Sequence, residues 1–398
     1  MNMNVREIWL FFLLLCFYIP TSVSAQYGVV MSKDVEGKDV PVYAFNIVED
    51  SVFFEENDGV MLYESYDGKK EKIEIPSVSK VIFRKKNTFT TDAPSYVYGV
   101  SEWPFGKSQA LCFTWDDGIN KQMPVLMDVF NQNGYKTTFA VPTANFKKAA
   151  GHYYHEAHEE GHEIASHTVH HAVLTQVSLD SAKYEIEQSA KDIKAELGFV
   201  PVTFCHPERA FNTMVDSIVL KNYYTSRSSS ILRYPNRKVH SVRSIDTYES
   251  LVKELDEFMQ TKNKWMVYSG HGLSSLALGD KGVYQPIDST AFDSYLKYIR
   301  KNYDVSIYVD TYDNVVFAEL LRDNVVLEYG DNVIHLNAVK VLPMLEVYHR
   351  PSAYITLLLD PMICEVIPSK EVIDKRVVDG KLCVTVDLRK GDNVYLRK

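Results

Sequence analysis

Positive charge is in short supply in this sequence, because 43 lysines and arginines stand against 52 aspartates and glutamates among 398 residues. The resulting net charge of −9 argues against nucleic acid and anionic membrane surfaces as partners. Long apolar runs are also missing after residue 25, so the sequence predicts no bilayer-spanning segment beyond that point. With 46% apolar and 24% charged residues, the composition is otherwise that of an ordinary globular protein.

Cysteine is scarce as well, with five in the chain, one of which, Cys16, lies in the N-terminal segment. Cys112 interrupts an apolar run and is expected to be a small buried side chain. Cys364 and Cys383 lie near the C-terminus, where an exported protein could join them by a disulfide. The sequence leaves that pairing open.

The first 25 residues predict a signal peptide. Arg6 precedes an almost wholly apolar run from Ile8 to Ile19, and small residues stand at positions 23–25, where cleavage would occur. A retained anchor is the alternative, but the run is short for a membrane span. Cys16 stands in a poor context for lipoprotein cleavage. We therefore expect an exported protein that is released into the periplasm or the extracellular space.

The pattern of the mature chain changes twice. Residues 26–95 are β-prone, with turn signals at Asp58-Gly59 and Asp67-Gly68, and predict a small N-terminal β domain and a linker. Residues 96–322 alternate strands with helical patterns, which predicts an α/β unit with a parallel sheet or barrel. Residues 323–398 are β-prone again, with a hairpin signal at Asp379-Gly380, and predict a C-terminal β-sandwich-like domain.

Two adjacent carboxylates, Asp116 and Asp117, follow an apolar run at residues 110–113 that has the pattern of a buried strand. In an α/β barrel, catalytic groups stand at the C-terminal ends of such strands. Neighbouring carboxylates repel each other, and a metal ion relieves the repulsion when one of them binds it and the other stays free as a base. An exposed Asp-Asp-Gly turn is the alternative.

Histidines crowd the region that follows. His167 and His171 are four residues apart, and on a helical turn this spacing puts both rings on one side, where they and a carboxylate can hold one cation. His170 is expected to face solvent or to support the site. Thr168 stands where the metalloprotease pattern H-E-x-x-H requires a glutamate, which excludes that class. A solvated helix face is predicted for three further histidines: His152, His155 and His158.

These pieces resemble, in this order, the polysaccharide deacetylase family, the NodB-homology carbohydrate esterases of family 4. Its first motif, T-F-D-D-G, matches residues 114–118 with tryptophan for phenylalanine. Its second, H-[ST]-x-x-H, matches residues 167–171, and a G-H-E-I lead-in precedes it at residues 161–164. An apolar strand that ends in histidine matches residues 267–271. The resemblance covers roughly residues 100 to 320.

The resemblance implies a distorted (β/α) barrel that removes acetyl groups from a poly- or oligosaccharide, with N-acetyl groups preferred and O-acetyl groups as the alternative. Asp117, His167 and His171 would bind one divalent metal ion, for which zinc is the first candidate and cobalt or manganese the alternatives. Asp116 would act as the general base and His271 as the general acid. The implied partner is an acetylated glycan, and the sequence leaves the glycan and the oligomeric state open.

The chain departs from the family at the third motif, which often reads R-x-P-[YF] and here reads Cys205-His206-Pro207-Glu208. The arginine that would contact the base is therefore missing, and no clear fourth motif is present. Arg227, just after a strand predicted over Ser217–Tyr224, is a candidate to take the place of that arginine beside Asp116. An exposed loop position for Arg227 is the alternative, and Arg209 is the other candidate partner of Asp116. Five residues are candidates for substrate binding or support: Pro207, Glu208, Arg209, Arg227 and Trp265.

Two other functions fit parts of the pattern. An iron oxygenase also uses two histidines and one carboxylate, but it does not require a second carboxylate such as Asp116. A glycan-binding protein with a degenerate deacetylase site would explain the altered third motif. Acetate release that a chelator abolishes distinguishes the deacetylase from both.

Overall fold

The computed structural model divides into two compact units. The larger unit consists of Glu102–Asp323 and Leu342–Arg350, and the smaller of Met1–Ser101, Asn324–Val341 and Pro351–Lys398. The structure describes residues 2–3, 26–33, 38–46, 51–54, 60–66, 69–75, 78–85, 90–119, 121–148, 151–227, 237–261, 264–274, 283–362 and 365–397.

The larger unit is built around a parallel sheet, as the alternation of strands and helices predicts. Its described strands are β1 (Gln109–Trp115), β2 (Thr138–Val141), β3 (Glu163–Ser166), β4 (Thr203–Phe204), β5 (Thr225–Ser226), β6 (Arg237–Ser241), β7 (Trp265–Gly270), β8 (Leu273–Ser274), β9 (Ile287–Asp288) and β10 (Ile307–Val309). β8 and β9 form a separate parallel pair.

The strand order is β5-β4-β3-β2-β1-β7-β6, and β1 has an additional partner in β10. β10 pairs with the start of β1, at Gln109–Leu111, whereas β2 pairs with its end, at Thr114 and Trp115. The sheet is strongly curled, because Arg227, just after the edge strand β5, hydrogen-bonds to Asp116, just after β1. Four strand spacings in a flat sheet would separate them by about 19 Å. A distorted barrel therefore forms, as expected.

The helices of the larger unit follow the predicted strand–helix alternation. They are α1 (Met123–Gln132), α2 (His152–Glu159), α3 (Leu179–Leu197), α4 (Thr213–Asn222), α5 (Tyr248–Met259), α6 (Ser289–Tyr303), α7 (Tyr312–Asn324) and α8 (Leu342–Val347), with 3₁₀ turns at Pro104–Gly106, Thr143–Lys147 and Pro207–Arg209. α3 has the predicted bounds: Ser178 caps its N-terminus and Gly198, in the left-handed conformation, ends it.

The strand predicted over Ser217–Tyr224 is wrong, because this segment belongs largely to α4. The side chain of Asn212 accepts a hydrogen bond from the Val215 backbone N–H and starts the helix. Val215 and Val219, four residues apart, are both buried on one helix face. The cap and this helical spacing outweigh the β propensity of the apolar residues, and the strand that follows is β5.

Aromatic side chains fix the end of β1 in the core of the larger unit. Phe113 stacks on Tyr268 of β7, with ring centroids 5.1 Å apart, and meets Phe292 of α6 edge-on at 5.5 Å. Trp115 meets the same phenylalanine edge-on at 5.3 Å. These contacts hold rigidly the strand end from which Asp116 and Asp117 follow.

The smaller unit consists mainly of antiparallel strands. A hairpin turn at Asp379-Gly380, where both residues have positive φ, joins two paired strands as predicted. Segments from both ends of the sequence belong to this unit. The sequence instead predicts separate N- and C-terminal β domains, and their borders stay a prediction. Its strands are Asn2–Met3, Gln26–Lys33, Asp39–Asn46, Ser51–Phe54, Val60–Tyr66, Lys69–Ile75, Lys80–Lys85, Val97–Val100, Val326–Gly330, Val333–Asn337, Tyr354–Leu359, Glu365–Val366, Val372–Val378, Lys381–Asp387 and Asn393–Arg397.

Several sequence predictions fall outside the described residues. The signal peptide does so except for Asn2–Met3, and so do the turns at Asp58-Gly59 and Asp67-Gly68. Cys364 is also outside them, while Cys383 is buried with a free thiol. In the described part of the chain, no helix combines the length and the apolar character needed to cross a membrane.

Candidate active site

The two carboxylates after β1 face different partners. The backbone N–H of Asp116 donates to the Gly270 carbonyl at 2.8 Å, which joins the ends of β1 and β7. Asp117 has a φ of 74°, in the left-handed region that aspartate tolerates better than most residues. The side chain of Asp116 contacts Arg227, whereas that of Asp117 contacts His167 and His171. This arrangement relieves the repulsion expected from adjacent carboxylates.

Asp117, His167 and His171 form a group with the donors of a metal site. Their ligand atoms all lie within 4.8 Å of one another. Asp117 Oδ1 is 3.2 Å from His171 Nε2 and 3.7 Å from His167 Nε2. One carboxylate and two imidazoles are a donor set that suits zinc and related divalent ions and leaves positions open for other ligands.

The orientation of His167 fits a metal ligand. Its Nδ1 lies 2.7 Å from the Cys205 carbonyl oxygen, and because a carbonyl can only accept, Nδ1 carries the proton. The Nε2 lone pair therefore points toward Asp117 and is available to a cation. Burial lowers the pKa of His167 to about 4, so the ring is neutral at physiological pH, as a metal ligand must be.

A turn, rather than the helical turn expected from the spacing, brings the two histidines together. Thr168 and His171 have φ values of 68° and 61°. Glu185 of α3 holds this turn, because its Oε2 accepts the backbone N–H groups of Val169 and His170 at 2.9 and 2.8 Å. Its Oε1 lies 2.8 Å from His170 Nδ1, so His170 supports the turn from an exposed position.

Left-handed backbone conformations concentrate at this site. Among the described residues, nine residues other than glycine have positive φ, and five of these belong to the metal group, its turn and the third motif: Asp117, Thr168, His171, Glu208 and Arg209. Such conformations are costly and persist where the surrounding structure enforces them. Their concentration supports the placement of the functional site here.

Arg227 holds Asp116 in a bidentate contact. Its Nη1 lies 2.5 Å from Oδ1 and its Nη2 2.7 Å from Oδ2, while Nη1 also donates to Thr114 Oγ1 at 2.8 Å. Burial would raise the pKa of Asp116, but the charge and hydrogen bonds of Arg227, with the charges of His167 and His271, lower it to about 2. Asp116 is therefore ionised in a fixed orientation.

Electrostatics also tie the metal group together. Burial would raise the pKa of Asp117, but the hydrogen bond from His171 and the charges of the nearby histidines lower it. The same hydrogen bond raises the pKa of His171. The pair thus attracts a proton between its members, at the place where a divalent cation would bind them both.

One cavity of about 660 Å³ brings the predicted groups together. It is lined by seven residues that the sequence singles out: Asp116, Asp117, His167, His171, Glu208, Arg209 and His271. Four other lining residues carry no sequence motif and were not predicted: Ser241, Arg243, Ser269 and Tyr284. Ser241 and Ser269 lie at the ends of β6 and β7, Arg243 follows β6, and Tyr284 precedes β9.

The loop that carries His271 is packed closely on both sides. A Cβ atom on Gly270 would lie 2.8 Å from the Trp115 ring, so this position requires glycine. A Cβ atom on Gly272, which has a φ of 157°, would lie 2.7 Å from the Gln122 side chain. That side chain accepts from the Leu273 N–H and donates to the Leu273 carbonyl. The His271 ring meets the exposed Tyr284 ring edge-on, with centroids 5.1 Å apart.

The third motif surrounds the cavity with a mixture of charges. Pro207 is buried and begins a 3₁₀ turn, while Glu208 and Arg209 have φ values of 51° and 56°. Arg209 donates to Ser269 Oγ at 3.0 Å and to Ser241 Oγ. It thus reaches from the end of β4 to β6 and β7, across the mouth of the curled sheet.

Trp265 does not belong with the cavity residues. It begins β7, at the opposite end from His271, and is 2% exposed. Its Nε1 donates to Cys112 Sγ at 3.3 Å, and its ring packs against Tyr312 with centroids 4.8 Å apart. Of the two roles predicted for it, support through packing therefore fits and substrate contact does not.

The histidines of α2 are exposed or partly exposed, as predicted: His152, His155 and His158.

Comparison with known proteins finds a family match within the larger unit. Residues 106–226 match the sequence model of the polysaccharide deacetylase family. The peptidoglycan-N-acetylglucosamine deacetylase PgdA of Listeria monocytogenes is 28% identical over 149 residues, which is 37% of this chain and 30% of PgdA. Chitin deacetylase 1 of Cryptococcus neoformans is 27% identical over 157 residues, or 36% of this chain and 33% of that protein.

The chain thus spans about a third of the length of these curated relatives. Among solved structures, the peptidoglycan deacetylase PdaC of Bacillus subtilis is similar with a TM-score of 0.39 and 17% identity, covering 54% of this chain and 94% of that one. The family match contains Asp116, Asp117, His167 and His171, whereas Arg227 and His271 lie beyond it. The similarity of this chain to the polysaccharide deacetylase family thus lies in residues 106–226.

Proposed function

We propose that this protein is a metal-dependent hydrolase that removes acetyl groups from a poly- or oligosaccharide. The observation that carries the proposal is that the Asp117–His167–His171 group, Asp116 and His271 line one cavity, with Arg227 bonded to Asp116. These groups would supply the metal ligands, the general base and the general acid of a hydrolytic site. Family membership and the names of the curated relatives support acetylated glycans as the substrate class.

Asp117, His167 and His171 would hold one divalent ion, for which zinc is the first candidate and cobalt or manganese are alternatives. Such an ion, when bound, polarises a carbonyl group and lowers the pKa of water. The hydrogen bond from His167 Nδ1 to the Cys205 carbonyl, and the hold of Glu185 on the turn, would keep the imidazoles oriented for this ion.

Asp116 would act as the general base. Its two oxygens each accept from Arg227, and each keeps a further lone pair for a proton taken from the attacking water. The low pKa of Asp116 ensures that the carboxylate is ionised before the reaction. The same feature makes it a weak base, so its contribution would depend on position as much as on proton affinity.

His271 would act as the general acid. It lines the same cavity as Asp116 and lies at the end of the adjacent strand β7. An amine leaves poorly unless it is protonated, which is the step that a positioned imidazolium can provide. We therefore propose N-acetyl groups as the preferred substrate, with O-acetyl groups as the alternative. The predicted signal peptide supports export to the periplasm or the extracellular space.

Acetate release tests this function. The metal-loaded protein should release acetate from at least one of a set of acetylated glycans, comprising chitin oligomers, peptidoglycan fragments, xylan and exopolysaccharide. A chelator should abolish the release, and added zinc, cobalt or manganese should restore it. Binding to such a glycan without any acetate release would instead indicate the glycan-binding alternative with a degenerate site.

A further inference from the structure

Arg209 lines the cavity and forms no ion pair with a carboxylate among the residues that the structure describes. Its hydrogen-bond partners in the described part of the chain are the hydroxyl groups of Ser241 and Ser269. The negative charge of Asp116 acts on Arg209, but both oxygens of that carboxylate already accept hydrogen bonds from Arg227. Burial and repulsion from Arg227 lower the pKa of Arg209, as expected for a cation that lacks a partner.

A second cation lies on the same side of the cavity. Arg243 follows β6, lines the cavity and is exposed. Its backbone N–H donates to Asp246 Oδ2 at 2.7 Å, but its guanidinium has no acceptor among the residues that the structure describes. Because Arg209 is bonded to Ser241, two residues before Arg243, the two side chains belong to one wall of the cavity.

The acidic groups of the cavity interact with other partners. Glu208 lines the cavity, and its charge helps to raise the pKa of His171. Asp117 belongs to the metal group, and Asp116 is paired with Arg227. Among the residues that the structure describes, Arg209 and Arg243 are therefore cavity cations without an acidic hydrogen-bond partner, whereas Asp116 and Asp117 each have a basic partner.

We infer that the arginine wall, defined by Arg209 and Arg243, binds a carboxylate carried by the glycan next to the acetylated sugar. This inference rests on the proposed function and narrows its substrate to acidic glycans. The guanidinium group presents paired N–H donors that match the two oxygens of a carboxylate. A neutral polymer of N-acetylated sugars would offer neither guanidinium group an anionic partner.

The test uses two matched oligosaccharides and the full chain. Both contain an N-acetylated sugar beside a second sugar that bears a carboxylate, which in one of them is converted to the primary amide. Calorimetry with chelator-treated protein gives the dissociation constants without turnover, and acetate release from metal-loaded protein gives kcat/KM. The variant is Arg243→Gln, because this side chain has no partner in the described structure whose loss would disturb the fold. Lys253→Gln, an exposed lysine on α5, removes the same charge away from the cavity.

The wild-type protein and Lys253→Gln should bind the acid about fivefold or more tightly than the amide, and Arg243→Gln should lose this preference. The preference should also weaken with added salt, since exposed charges are screened. Equal affinities for acid and amide in the wild type, or an acid preference that persists in Arg243→Gln, would overturn the inference.

The outcomes also separate this inference from the function on which it rests. Equal acetate release from both oligosaccharides, together with equal binding, would remove the arginine wall as a carboxylate site and leave the deacetylase standing. Acid-selective binding without acetate release would support the arginine wall and contradict the deacetylase. Free acetate, the reaction product, is the other source of a carboxylate. If Arg243→Gln weakened acetate inhibition but not the acid preference, the site would be a product site and the inference would fail.

Discussion

Arg227 donates to both carboxylate oxygens of Asp116, although the strands that precede the two residues lie four positions apart in the sheet. The curl of the sheet is what brings them together. The third motif of this chain lacks the arginine that the family resemblance implies beside the predicted base, and Arg227 contacts Asp116 from another strand. Both side chains are largely buried, so water competes little for this contact.

Replacing Arg227 should therefore affect turnover without affecting the metal. We expect Arg227→Ala to keep its metal content and to lose about 10- to 100-fold in kcat. Because the guanidinium lowers the pKa of Asp116, its removal should move the acidic limb of the pH–rate profile to higher pH. Arg227→Lys keeps the charge but not the paired donors, so its kcat should lie between those of the wild type and Arg227→Ala. Unchanged turnover with an unshifted acidic limb would show that Asp116 works without this partner.

The metal group gives a second prediction. One divalent ion per chain should be lost in Asp117→Ala and in His167→Ala, as measured by elemental analysis of protein dialysed against metal-free buffer. His152→Ala is the matched control, because it removes an exposed histidine of α2 that lies outside the metal group. Full metal content in both ligand variants would remove the central element of the proposed function.

Much of this site is predictable from the sequence, because its residues follow strands and strand ends meet at one edge of the sheet. Asp116, Asp117 and His271 each come directly after or one residue beyond a strand that an apolar run marks. Arg227 is also placed correctly beside Asp116, although the strand predicted before it is largely the helix α4. The contact depends on the position of Arg227 at the sheet edge. That position is the same whether a helix or a strand occupies Ser217–Tyr224, because β5 directly precedes Arg227.

What the sequence could not give depends on contacts between distant residues. Glu185 is one of several acidic residues on α3, and nothing in the helical pattern separates it from its exposed neighbours. Its role follows from two backbone N–H groups that point at it only because the turn after His167 has left-handed residues. Similarly, Leu342–Arg350 belongs to the larger unit although the pattern around it is β-prone.

Glu185 should therefore matter for the metal although it is not a ligand. We expect Glu185→Ala to weaken metal affinity about 10- to 100-fold, because the turn that orients His167 and His171 would lose its acceptor. Glu185→Gln keeps one oxygen for the backbone N–H groups and should restore much of the affinity. Glu187→Ala removes a partly exposed glutamate from the same helix, one that pairs with Lys183, and should have no effect. Equal metal affinity in Glu185→Ala and Glu187→Ala would contradict this role.

Loss of His271 should affect hydrolysis of amide and ester bonds to different extents. Because an amine needs protonation to leave and an alcohol needs it far less, His271→Ala should lose much more activity on an N-acetylated oligosaccharide than on a simple acetate ester. The comparison uses kcat/KM for both substrates with the same metal-loaded preparation. Tyr284→Phe keeps the ring that packs on His271 and serves as the control. Equal losses on both substrates would show that His271 is not the acid.

Glu163 predicts a dependence of stability on pH that originates away from the metal group. This buried carboxyl group begins β3, and its Oε2 accepts from Thr138 Oγ1 at 2.8 Å and from the backbone N–H of Asp313 at 3.0 Å. Burial first, and then the nearby charge of Asp313, raise the pKa of Glu163 to about 8. Arg350 binds Asp313, so it neutralises that neighbour rather than Glu163 itself.

The sign of the effect follows from the direction of this shift. A carboxyl group whose pKa is raised by folding stabilises the folded state while it is protonated, and this contribution is lost as the pH rises from the ordinary value of 4.5 through about 8. Glu163→Gln keeps an acceptor for the same two donors and does not titrate. Its free energy of unfolding should therefore increase relative to the wild type across this window, by an amount on the order of a few kcal/mol. Denaturant unfolding at pH 5 to 9, with the exposed Glu196→Gln as the control, measures this difference. A constant difference between Glu163→Gln and the wild type over that range would show that Glu163 stays ionised in the folded protein.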